Sequence, residues 1–104
     1  MIFRRRFSDV IARQLDVFAE DEAGLIADCR NAERAYDRAD RDEAEARYGD
    51  YVDLVETATE ALADMRDRFK RTLTDEDVAE EYDAAFNRAV KKRWPPFGLE
   101  IENR

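Results

Sequence analysis

The side chains with chemical potential fall into two groups. One is cationic. Arg4, Arg5 and Arg6 stand between Ile2, Phe3 and Phe7 in the opening run MIFRRRF, and Lys91, Lys92 and Arg93 stand together in KKRW. Clustered cations beside large apolar residues could grip nucleic-acid phosphates or an anionic membrane surface. The other group is acidic, in AEDEAG and DRDEAEARYGD. Carboxylates on bundled helices can hold a pair of metal ions, but the usual ligand set includes histidine. This chain has none, which removes the commonest general base and the commonest transition-metal ligand. Glu20, Asp21 and Glu22 are consecutive, so on a helix they diverge and cannot converge on one ion.

Nucleophiles fare no better. Ser8 is the only serine and Cys29 the only cysteine. Neither has a histidine to activate it. A single cysteine can form no intrachain disulfide and no zinc-binding pair, and there is no glycine-rich phosphate loop. The reading is a non-enzymatic chain with no cofactor and no metal, its acidic runs forming solvated helix faces.

The elements that must carry these residues are legible from spacing. The chain has 104 residues, enough for one domain with a modest core. Its net charge is −8, with 42% charged residues, so disorder competes with folding unless the apolar residues are periodic. They are. Ile11, Leu15, Phe18, Glu22, Leu25, Cys29, Ala32 and Tyr36 step alternately by four and three. Ala44, Tyr48, Tyr51, Val55, Ala58, Leu62, Met65 and Phe69 do the same. Each set is a heptad seam, polar only at Glu22. Between them Asp40 and Glu43 have the form of a capping box.

This spacing predicts helices over about 9–38 and 41–71, joined by a tight turn. Folded back, the seams set Tyr36 against Ala44, Ala32 against Tyr48 and Cys29 against Tyr51. A third helix over 75–93 would start at Thr74 as N-cap and carry Val78, Tyr82, Ala85, Phe86, Ala89 and Val90 inward. Pro95 and Pro96 would end it, leaving 95–104 as an extended or irregular tail. The expected fold is all-α, an antiparallel three-helix bundle built on a long helical hairpin. Its best-covered layers hold Leu15, Phe18, Leu62 and Met65, with Tyr82 and Phe86 packed on them. Gly24 lies inside the first helix, where a break would divide it.

The charges can now be weighed. Lys91, Lys92 and Arg93 end a helix, where cations complement the macrodipole. Arg4, Arg5 and Arg6 precede a helix and lack that explanation. An up-down-up bundle brings them near Asp75, Glu76, Asp77 and Glu80, where intramolecular pairing is expected. The third helix is too short to cover the hairpin tip. Tyr36, Tyr48 and Tyr51, with Trp94 and Phe97 from the tail, therefore form the candidate partner surface, since tyrosine combines large area with a polar end.

The functional expectation is a helical protein–protein interaction module whose partner is another protein or a second copy. The alternative is an anionic-surface binder using Arg4, Arg5, Arg6, Lys91, Lys92 and Arg93; nucleic acid and membrane are the weaker expectations. No apolar run approaches the roughly 18 residues of a membrane span, and no apolar segment of secretory type follows the opening arginines. A soluble cytoplasmic protein, of bacterial type from its preference for Arg over Lys, is expected.

Overall fold

The computed structural model describes residues 6–104, and the expectations for Ile2, Phe3, Arg4 and Arg5 lie outside them. The described residues form five helices: α1 (Ser8–Asp21), α2 (Ala23–Arg38), α3 (Ala44–Lys70), α4 (Glu76–Arg93) and α5 (Pro95–Ile101). None is long and apolar enough to cross a membrane.

The predicted first helix is two helices. Glu22 separates them, with φ −112° and ψ 29°. Its N–H donates to Phe18 O at 2.8 Å and its carbonyl accepts from Ile26 N–H at 2.9 Å, so the ladder continues through the kink. A straight helix would carry the Glu22 carboxylate along the buried seam, which is costly without a partner. The kink changes the buried set. Ile11, Leu15 and Phe18 face the core from α1, then Ile26 and Cys29 from α2, while Leu25 is left half-buried. Gly24 makes no close contact, since an added Cβ would meet nothing within 4 Å.

The tail is the second correction. Pro95 and Pro96 do end α4, but they also begin α5. Proline suits the first turn of a helix, where its missing N–H has no partner to lose. Phe97 and Ile101 are one helical turn apart and both point inward, at 3% and 0% exposure. Gly98 lets α5 lie on α4. A Cβ there would sit 2.6 Å from Lys91 Cα, so any side chain would push the two helices apart.

One cap differs from the expected residue, and α1 starts at Ser8 with Phe7 before it and no side-chain cap. Asp75, not Thr74, caps α4, its carboxylate accepting from the N–H groups of Asp77 and Val78 at 2.8 and 3.1 Å. Asp40 accepts from Glu43 N–H at 3.1 Å, but α3 begins at Ala44, about three residues later than expected, because 41–43 form a turn.

The molecule measures 51 × 25 × 24 Å. Helix α3, about 40 Å long at 1.5 Å per residue, runs most of that length. Helix α2 packs on it, α4 and α5 pack on it and on each other, and α1 closes against α4. Leu62, Tyr82, Phe86, Val90 and Ile101 are fully enclosed. Aromatic edges knit the centre: Phe18 lies 5.5 Å from Trp94, and Phe7 lies 5.3 Å from Tyr82. Met65, expected in the best-covered layers, is only partly buried. From Arg30 to Leu54 no residue is buried.

Candidate partner surface

The tip is built by the connection over 39–43, which sets the end of α2 beside the start of α3. The rings of Tyr36 and Tyr48 meet there at 5.2 Å. The two rings come from neighbouring expected layers, Tyr36 with Ala44 and Tyr48 with Ala32. Both rings stay open, at 39% and 51% exposure.

Below the pair, Tyr48, Tyr51, Val52 and Val55 of α3 face Pro96 and Leu99 of α5 across a groove of about 150 Å³, flanked by Glu56 and Glu100. On the other side of Tyr51 lies a cleft of about 180 Å³. Ile26, Cys29, Trp94 and Phe97 wall it, with Arg30, Glu33 and Arg93 at its rim. Tyr51 therefore divides two hollows and is half-buried. Burial pushes its phenol up, and Glu33 adds to the effect. Burial, then Asp28, likewise pushes the Cys29 thiol up, which opposes formation of the reactive thiolate.

Trp94 and Phe97 occupy a different place from the one expected. They are 7% and 3% exposed, and Trp94 packs edge-on against Phe18. Folding of the tail into α5 turned them inward. Leu99 takes the open position instead, at 72% exposure. An extended or irregular tail over 95–104 gives Leu99 no distinct place, because Phe97, Leu99 and Ile101 alternate. The Pro-Pro pair followed by apolar residues four apart is the helical signal that identifies it.

The cationic candidates do not form one patch among the described residues. Arg6 lies 3.7 Å from Glu81, with both side chains substantially exposed. Arg93 is held by Asp16 at 2.7 Å and lies over the Trp94 ring at 4.8 Å. Lys91 and Lys92 are exposed. About 16 Å of helix separates Glu81 from Lys92, at 1.5 Å per residue.

A buried cation was not anticipated. Arg66 is 3% exposed. Its Nε faces Asp67 at 2.9 Å and Asp83 at 3.1 Å. Its Nη1 donates to Asn87 Oδ1 at 2.9 Å and to the Ile101 carbonyl at 3.0 Å. One guanidinium thus joins α3, α4 and the last turn of α5, and a fork of fixed donors suits that task. Near it Tyr82 donates to Gln14 Oε1 at 2.8 Å. Burial pushes this phenol up to about 12 despite that hydrogen bond and the nearby Arg66 charge. No buried side-chain nitrogen or oxygen among the described residues lacks a partner, and no three of them could hold a metal ion.

The most open apolar residues, Leu99 and Tyr48, therefore face each other across one groove, while Arg6 stands apart from Lys91–Arg93 and the buried polar groups are satisfied within the fold. No protein-family model, curated protein or solved structure matches the chain.

Proposed function

We propose that the chain is a non-enzymatic interaction module that binds a protein through the tip of α2 and α3 and the adjoining face of α5. In this reading the five helices act as three layers: α1 and α2 as one kinked layer, α3 as the second, α4 and α5 as the third. The first two form a hairpin that projects past the third.

One observation carries the reading. The exposed Tyr36–Tyr48 pair runs directly into a groove whose other wall is the 72% exposed Leu99. Single exposed apolar residues need no explanation, but a contiguous set beside a groove marks a contact surface. Tyrosine is enriched in such surfaces. The stretch from Arg30 to Leu54 buries no residue fully within the chain, and Tyr36 and Tyr48 within it stay exposed. A second copy is one protein that could supply the missing cover.

The anionic-surface reading has less support. It needs a one-signed basic patch, yet Arg6 and Arg93 are paired with carboxylates.

A photo-crosslinking amino acid at position 48, with a control at exposed Arg13, tests the proposal in the host that makes the chain. The module yields protein adducts from position 48 and not from position 13. No adducts at 48, or equal yields from both, would reject it. Light scattering of the purified chain reports whether the partner is a second copy, which appears as twice the monomer mass.

A further inference from the structure

We infer that the groove between α3 and α5 selects a basic partner: a helical protein segment with one large apolar side chain flanked by Arg or Lys. The inference rests on the interaction-module reading above and gives its partner a chemistry. Its basis is the groove's lining. The hollow is about 150 Å³ and walled by Tyr48, Val52, Pro96 and Leu99. A cavity of that size in an apolar protein interior takes up a benzene-sized group, so one large apolar side chain fits. The groove's two charged lining residues, Glu56 and Glu100, are both carboxylates. Both are exposed, and neither enters an ion pair with another described residue.

The wider field has the same sign. One and two turns beyond Glu56, α3 carries Glu60 and Asp64, whereas Asp50 pairs with Arg47 on the side that faces α2. Unpaired carboxylates beside an open apolar groove are complementary to cations set around an apolar anchor. The same field disfavours the other occupants. A second copy docking by the same face would oppose carboxylate to carboxylate, and nucleic acid would bring phosphate to an acidic wall.

The test uses two labelled helical peptides with the same leucine face, one with lysines and one with glutamates opposite. Each is titrated with the full chain and read by fluorescence anisotropy. The Leu/Lys peptide should bind at least tenfold more tightly than the Leu/Glu peptide. Leu99→Asp should weaken the Leu/Lys complex at least tenfold even though it makes the chain more acidic. Glu56→Gln with Glu100→Gln should weaken it and flatten its dependence on salt. Leu99 is an exposed residue, and an unchanged helical circular dichroism spectrum verifies that the variant folds. Equal binding of the two peptides would overturn the proposal. So would a Leu99→Asp variant that binds the Leu/Lys peptide as tightly as the parent, because general attraction to acid would then explain the affinity. The two failures separate. If Leu99→Asp keeps both its peptide affinity and its adducts at position 48, the tip binds protein but this groove does not select it. If position 48 gives no adducts in the parent chain, the broader reading fails, and this one with it.

Discussion

The two ends of α3 live in different surroundings. From Val55 to Arg66 the helix buries Val55, Ala58, Thr59, Leu62, Ala63 and Arg66. From Ala44 to Leu54 it buries nothing. The far half is clasped by α4 and α5, whereas the near half has α2 beside it and one edge of α5, from Pro96 to Leu99, alongside. A two-helix layer has too little apolar surface to enclose a core residue. The far half therefore pays the entropy of ordering the chain, while the near half is held out as an extension of it. Substitutions in the body should therefore cost far more stability than substitutions at the tip.

The largest effect belongs to the body. Phe86 is fully enclosed, so Phe86→Ala should cost about 3–5 kcal/mol in urea denaturation. A cost below about 1 kcal/mol would place that layer at the surface and erase the distinction.

Next comes the guanidinium that joins three helices. Arg66→Met keeps the alkyl stem but leaves Asn87 and the Ile101 carbonyl without their donor. Asp67 and Asp83 retain partial access to water, which softens the loss. The expected cost is about 2–3 kcal/mol, accompanied by faster proteolysis after Trp94 as α5 comes away. Unchanged proteolysis would mean that the Phe97 and Ile101 packing alone secures α5.

Tyr82 sharpens the comparison through pH. Its folded pKa, about 12, lies above the ordinary 10.0. The folded state thus holds the proton more tightly than the unfolded state. That share of stability is complete below pH 10 and is lost between pH 10 and 12. Tyr82→Phe should lose about 1 kcal/mol at neutral pH, the scale of one hydrogen bond, and its stability should fall less steeply over pH 10–12. Parallel curves for parent and variant would contradict the enclosed phenol.

The smallest effect belongs to the tip. Tyr36→Ala and Tyr48→Ala should each shift stability by no more than about 0.5 kcal/mol, as ordinary surface changes do. A loss above 2 kcal/mol from either would show that the tip supports the fold.

How far these features can be read from the sequence follows from the kind of signal each one leaves. Helical class was legible because two seams of eight positions keep one period. The open tyrosines were legible because one predicted helix was visibly shorter than the others. Glu22 stood out as a polar residue on the seam, but spacing alone could not show that the chain bends there rather than burying it. Helix α5 was hidden by its brevity: a seven-residue segment shows barely two turns, and Phe97, Leu99 and Ile101 fit an alternating strand equally well. Trp94 and Phe97 were misplaced, and Leu99 was left without a role, for that reason. Arg66 gave no signal, because a cation in the last turns of a helix already has an explanation in the macrodipole. Its role depends on Asn87 and Ile101, 21 and 35 residues away.

Amide hydrogen exchange, run on the chain alone and with the Leu/Lys peptide, tests the division between tip and body most directly. Amides of Val55–Arg66 and Tyr82–Val90 should exchange only through global unfolding, while those of Arg30–Val52 should exchange through local opening. The peptide should slow exchange over 48–56 and in α5. Uniform protection along α3 in the free chain, or peptide protection centred on Lys91–Arg93, would contradict these expectations.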